Sequence, residues 1–156
     1  DTSLWSPALI SVGADLLYRA STLRRPGPWQ WRAAIHAAHA RRKVLGHTPW
    51  PEVLQAYRCL ESLDDGPMLQ INLALAEARA GNLGAARERF ARIDRAPLQH
   101  HRGFLLAEAE LAWMQGDAGR ALAALAHAEV LPGGRAETAF IRVKLASWQA
   151  RRSSRE

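Results

Sequence analysis

The chain has 156 residues, of which 48% are hydrophobic and 23% charged, and its formal net charge is +6. A domain of this size and composition folds around one core without staples, and the single Cys59 excludes an intramolecular disulfide or a cysteine-rich zinc site. Because no apolar run approaches about 18 residues and no signal-like segment opens the chain, the sequence predicts a cytoplasmic protein that does not span a membrane.

Alanine dominates the composition, with 30 of the 156 residues. Alanine is the best helix former and a poor strand former, and no window alternates β-branched or aromatic residues at period two. The sequence therefore predicts an all-α protein. It also contains neither a P-loop nor a dinucleotide fingerprint, both of which need a strand that leads into a helix.

The first half of the chain predicts three helices separated by Pro- and Gly-containing breaks. The first spans about 4–23, and its apolar residues step by three and four along one face: Leu9, Val12, Leu16, Ala20 and Leu23. Pro28 opens the second helix, whose apolar stripe is Trp31, Ile35 and Ala38. The third begins at about Pro51 and ends at the turn 64–67.

From Pro67 onward the sequence repeats with a period of 35 residues when Gly81 is laid over Gly116. The matched positions are Ala74 with Ala109, Gly81-Asn82 with Gly116-Asp117, Ala86 with Ala121, Phe90 with Leu125 and Ile93 with Ala128. Small residues let two helices approach closely, the Gly-Asn or Gly-Asp pair makes the turn, and the larger residue fills the space between hairpins. This pattern resembles the tetratricopeptide repeat.

We therefore expect a single tetratricopeptide-like domain over 1–156, a right-handed array of about eight antiparallel helices. The expected helix pairs span about 4–45, 51–80, 83–115 and 118–152. The last helix, about 135–152, places Ile141, Leu145 and Trp148 on one side and would cap the stack.

Few residues suggest chemistry. His36 and His39 share a helix face, but a zinc site needs further ligands, so packing or a groove hydrogen bond is the preferred interpretation. Cys59 is interpreted as structural, and the Gly133-Gly134 pair as a plain turn. His100 and His101 are interpreted as solvated turn residues. The sequence predicts no catalytic residue, no metal and no cofactor.

The charge distribution is uneven, because residues 16–51 contain seven basic residues and no acidic one: Arg19, Arg24, Arg25, Arg32, Arg41, Arg42 and Lys43. Such a segment favours a phosphate backbone or an acidic protein surface, and a solvated helix face is an equally weighted alternative. Exposed members of the six tryptophans are candidate anchors for a partner, whereas Trp113 and Trp148 are expected in the core.

Taken together, the motifs resemble the C-terminal tetratricopeptide-like extension of a group of bacterial extracytoplasmic-function RNA polymerase sigma factors. The similar segments are Ser3-Leu4-Trp5, Leu9-Ile10 with Gly13, the turn 25–30, Ala33-Ala34-Ile35, His39-Ala40, Trp50 with Val53, Tyr57 and Leu60, and Pro67 with Asn72, Ala74 and Ala76. The chain departs from the family at Leu73, where Arg is usual, and at Leu105 and Glu108, which replace a His- and Arg-containing helix.

The resemblance implies the C-terminal part of a longer sigma factor, without catalytic activity, that modulates transcription initiation. Its partners would be the DNA-binding sigma regions, the polymerase core or a signalling protein, with DNA contacted only through upstream regions absent from this chain. The candidate partner-binding residues are Arg25, Trp29, Gln30, Arg32, His36, His39 and Asn72. The alternatives are a free-standing adaptor that binds an acidic C-terminus through Asn72 and basic residues, and a small-ligand sensor that uses the two histidines.

Overall fold

A computed structural model describes residues 4–154, and this range is helical with no β-strand. The α-helices are α1 (Pro7–Thr22), α2 (Pro28–Ala40), α3 (Arg42–Leu45), α4 (Trp50–Glu61), α5 (Pro67–Arg79), α6 (Leu83–Ala91), α7 (Arg102–Met114), α8 (Ala118–Val130) and α9 (Arg135–Ser153). A 3₁₀ turn at Ala96–Leu98 precedes α7. Apart from the one-turn α3, eight helices pack in contacting pairs, which confirms the all-α helix-hairpin prediction.

The helix starts follow the expected local chemistry. Pro28 and Pro67 occupy the first turns of α2 and α5, where a missing amide proton costs no hydrogen bond. Ser6 and Asp117 cap α1 and α8, each by accepting a hydrogen bond from a first-turn amide at 3.4 and 2.9 Å. These local signals explain why the predicted helix boundaries lie close to the observed ones.

The two predicted repeats form equivalent hairpins, α5 with α6 and α7 with α8. Gly81 and Gly116 both adopt left-handed backbone conformations, with φ of 94° and 82°. In each turn the amide after the glycine donates to the carbonyl five residues earlier, at 2.8 Å in the first hairpin and 3.0 Å in the second. Glycine is favoured here because other residues pay a steric cost at positive φ.

The larger core lies between α5 and α9. The four repeated alanines are fully buried, at Ala74, Ala86, Ala109 and Ala121. Phe90 of the first hairpin stacks on Phe104 of the second, with ring centroids 5.0 Å apart. Trp148 of α9 stacks on Trp113 of α7 at 4.4 Å, and Ile141 is fully buried. Trp148 is buried in the core as expected, whereas Trp113 is half-buried and packs against it.

A second, smaller core joins α2, α4 and α5. Its buried residues include Ile35 of α2, Val53 and Leu60 of α4, and Leu73 of α5. Leu73 stands where the resembled family usually has arginine, and its complete burial explains why an apolar residue fits this position. Because α5 contributes to both cores, it joins the two parts of the domain.

The first helix differs from its prediction. It contains no buried residue, and its expected apolar face points away from α2. The half-buried side chains of α1 are Ile10 and Leu17, which lie about one residue around the helix from the expected face, and Ala20, which is the one member of the expected face that is partly covered. Helical spacing identifies an apolar stripe, but the position of α2 decides which stripe is covered.

The packing of the later helices also differs from the expected pair at 83–115. Helix α7 packs mainly on α8 and α5, and it meets α6 at only a few positions. The close contacts therefore group residues 67–91 and 102–130 as hairpins. The physical reason is the position of the two glycine turns. Gly81 connects α5 to α6 and Gly116 connects α7 to α8, whereas a longer segment connects α6 to α7.

Arg102 of α7 ties the last helices together from a buried position. Its guanidinium donates to the carbonyl oxygens of Ala128 and Glu129 at 3.0 and 3.3 Å, and to Glu137 and Thr138 at 3.0 and 2.9 Å. A side chain at Gly133 would overlap this guanidinium. The Gly133-Gly134 turn therefore accommodates an internal arginine.

No helix in residues 4–154 combines the length and apolarity needed to cross a membrane.

Candidate functional site

The structure gathers four of the seven candidate partner-binding residues around one groove between α2, α4 and α5. Arg32, His36 and His39 line it from α2, and Asn72 lines it from α5. Their spacing of four and three residues places the three α2 side chains on one helix face. We call this cavity of about 500 Å³ the histidine groove. The rest of its lining is Ile35, Tyr57, Leu60, Asp64, Gly66, Pro67, Met68 and Leu69.

An ion pair fixes one side of the histidine groove. The Arg32 guanidinium lies 2.7 Å from one Asp64 carboxylate oxygen, and the other oxygen accepts a hydrogen bond from the Gly66 amide at 2.9 Å. Asp64 thus holds both the turn before α5 and the arginine on α2. Because both partners are partly exposed, the pair orients Arg32 more than it stabilises the fold.

His39 lies deeper in the groove than His36. Its ring and the Trp50 ring are nearly perpendicular, with their centroids 5.5 Å apart. Burial lowers the pKa of His39 below 6.5, and the nearby His36 and Arg42 lower it further. A neutral His39 can accept a hydrogen bond at one ring nitrogen and donate one from the other.

The remaining polar groups of the groove are mainly hydrogen-bond donors. Burial raises the pKa of Tyr57, although Arg32 opposes the shift, so its hydroxyl keeps its proton at neutral pH. The exposed Asn72 amide can donate and accept. With buried Leu60 and Leu69 beneath them, these groups suit a chain segment that carries a carboxylate or carbonyl oxygens beside an apolar side chain.

The other three candidate residues lie outside the groove. Arg25 is exposed in the loop before α2, and Gln30 is half-buried in the first turn of that helix. Trp29 is 81% exposed, and the Arg32 guanidinium lies 5.9 Å from the centre of its ring. Trp29 therefore contacts Arg32, a residue of the groove lining, but does not line the groove itself. Arg25 and Gln30 are also absent from the groove lining.

A row of cation and aromatic contacts continues from the groove toward α9, and no sequence motif predicts it. Arg79 lies 5.8 Å from the Trp50 ring centre and 2.6 Å from a carboxylate oxygen of Glu110. Glu110 also pairs with Lys144, whose ammonium lies 4.9 Å from the Trp148 ring centre. These residues belong to four different helices, so no local spacing connects them.

The other residues considered for chemistry have local structural partners. Cys59 is half-buried, less than its structural interpretation implied, and its sulfur lies 3.8 Å from the Gln55 amide nitrogen. His101 caps α7 by accepting a hydrogen bond from the Phe104 amide at 3.3 Å. His36 and His39 lie on one face of α2 without a third ligand among the described residues. Residues 4–154 contain no group of three His, Cys, Asp or Glu side chains placed to hold a metal ion.

Comparison with known proteins finds one partial similarity. The chain is 38% identical over 79 residues to an uncharacterized protein of Rhizobium meliloti (strain 1021), and the match covers 51% of this chain. The matched segment covers 19% of the length of that Rhizobium protein. No family model and no solved structure matches the chain.

Proposed function

We propose that this chain is the regulatory domain of a bacterial extracytoplasmic-function sigma factor, acts in the cytoplasm and works by binding protein segments. The observation that carries the proposal is the convergence of Arg32, His36, His39 and Asn72 on one groove with an apolar floor. The bound segment would belong to the DNA-binding sigma regions, the polymerase core or a signalling partner.

The state of the polar groups favours binding over catalysis. Asp64, the carboxylate of the histidine groove, is already engaged by Arg32 and by the Gly66 amide. The His39 ring packs against the Trp50 ring. Catalysis would need a nucleophile within hydrogen-bond reach of a base, whereas recognition needs the mixture of donors and apolar surface that lines this groove.

The partial similarity to a longer protein supports an accessory role. A match that covers 19% of the Rhizobium protein is compatible with a segment of this kind as one part of a larger chain. The resemblance of the turn 25–30 and of the Asn72 segment to the sigma-factor extension supplies the transcriptional part of the proposal.

The deciding experiment is transcription in vitro with the natural full-length protein that contains this chain. Deleting residues 1–156 and substituting both groove residues, His36→Ala with Asn72→Ala, are expected to change regulated transcription in the same direction and at least about fivefold, a ratio equivalent to roughly 1 kcal/mol. Arg151→Ala, exposed on α9, is the matched control. A natural gene without sigma regions, or a deletion with no effect, would refute the proposal.

A second candidate is a free-standing adaptor that binds an acidic C-terminus, favoured by the donors that surround the histidine groove. An acidic peptide with a free C-terminal carboxylate would then bind the isolated chain more tightly than its amidated twin. Fluorescence anisotropy measures the difference, and His36→Ala with Asn72→Ala would remove it. Equal binding of the two peptides would contradict the adaptor role.

A further inference from the structure

The outer face of α1 is a long apolar surface that nothing in residues 4–154 covers. Leu9, Val12, Leu16 and Leu23 are 73, 54, 57 and 73% exposed. Isolated exposed leucines are ordinary, but a continuous row along one helix is typical of a surface that binds a partner. We call these four residues the α1 seam.

The spacing of the α1 seam identifies the shape of its occupant. Leu9, Leu16 and Leu23 recur every seven residues, with Val12 three residues after the first. The small Gly13 and Ala20 lie beside them, and no neighbouring atom approaches the Cβ position of Gly13. Large side chains at a period of seven, alternating with small ones, suit a second helix that packs alongside α1 with its knobs in these holes.

The charges around the α1 seam identify the chemistry of its occupant. Arg19 flanks the seam, Arg24 and Arg25 follow its C-terminal end, and all three are exposed without an ion pair in the described range. Asp15 is the one acidic residue between positions 6 and 25. A covering helix must therefore supply carboxylates near the Arg24–Arg25 end.

A second copy of the chain fits these charges poorly. In a parallel pair the two Arg19 side chains would face each other. In an antiparallel pair Arg24 and Arg25 would lie against the first turn of the other α1, which has no acidic residue and carries the positive end of the helix dipole. Both arrangements bring like charges together. A helix that carries acidic residues in its own first turn would instead place carboxylates beside Arg24 and Arg25.

We infer that the α1 seam binds an amphipathic helix that runs antiparallel to α1, with leucine-like residues at a period of seven and acidic residues in its first turn. This surface is separate from the histidine groove, and the inference goes beyond the proposed function and does not depend on it. Its affinity would come from apolar burial, and its orientation from the arginines.

The test uses two synthetic 18-residue helical peptides that differ only in the first turn, which carries three Glu in one and three Lys in the other. Anisotropy with the full 156-residue chain at low salt is expected to show at least tenfold tighter binding of the Glu peptide. Arg24→Glu with Arg25→Glu should invert the preference, and Leu16→Lys should abolish binding of both. Hydrogen exchange should show added protection in α1 when the Glu peptide is bound.

The matched control is Val143→Lys, which changes an exposed apolar residue of α9 and should leave binding unchanged. Circular dichroism confirms that each variant keeps its helices. Equal affinity for the two peptides, or binding that survives Leu16→Lys, would overturn the inference. A dimer in sedimentation that Leu16→Lys converts to monomer would overturn it in favour of a second copy. Groove variants at His36 and Asn72 leave the α1 seam intact, so failure here is distinguishable from failure of the proposed function.

Discussion

The two ends of the domain use similar apolar patterns with opposite outcomes. In α5 to α9, repeated alanines and large apolar residues are buried in a continuous core. In α1, leucines at equally regular spacing remain exposed, and only a neighbouring face rests on α2. The comparison teaches that a helical stripe marks a surface that favours burial, while the arrangement of neighbouring helices decides whether this chain itself buries it.

The sharpest test of this contrast removes one large apolar side chain from each end. Phe104→Ala, which empties a fully buried site stacked on Phe90, should lower the free energy of unfolding by about 4 kcal/mol. Leu16→Ala in the α1 seam should change it by less than about 0.5 kcal/mol. Urea unfolding followed by circular dichroism measures both. Similar losses would show that α1 is as integral to the folded core as α7.

A smaller effect is expected from the ion pairs that join α7 to its neighbours. Glu108 is buried, and one of its carboxylate oxygens accepts hydrogen bonds from Arg95 at 2.8 Å and from Arg120 at 2.8 and 3.1 Å. Glu108→Gln should cost about 2 kcal/mol. Both guanidinium groups are half exposed, so solvent compensates for part of the loss that a fully buried pair would suffer.

The pH dependence of the free energy of unfolding should show that the ionised Glu108 stabilises the fold. Burial raises the pKa of Glu108, but hydrogen bonds from Arg95 and Arg120 outweigh it and bring the pKa below 4.5. The stabilisation is therefore present above pH 4.5 and is lost as the pH falls through the lower folded value. Glu108→Gln should weaken that acid loss. Glu88→Gln, in an exposed pair with Arg92, is the control, and an equal effect of the two substitutions would argue against the role of Glu108.

The smallest expected effect is the pH response of the N-terminal part. Because the pKa of His39 is lower in the folded chain than its ordinary 6.5, the unfolded chain binds more protons near that pH. Stability should be complete above pH 6.5 and fall as the pH drops through 6.5 toward the folded value. His39→Gln should flatten this part of a thermal-unfolding profile measured from pH 7.5 to 5.5. An unchanged slope would show that other groups govern it.

Local signals predicted much of the fold. The prolines at 28 and 67 mark helix starts, and the repeated glycines mark turns because a left-handed backbone favours glycine wherever it occurs. The site was only partly predictable. Arg32, His36 and His39 share a face by helical spacing alone, but Tyr57 and Asp64 join them through contacts between helices. The partners of Glu110 lie 31 and 34 residues away in sequence, beyond the reach of any periodicity.

By itself, the sequence determined the all-α class, the duplicated hairpin and the positions of most turns, because these depend on backbone preferences and on interactions within one helical turn or one short loop. Only the tertiary structure decided which face of α1 is covered, which arginines are paired, and how residues of α2, α4 and α5 surround one groove. Those outcomes depend on the relative positions of helices, which are fixed by the packing of many side chains at once.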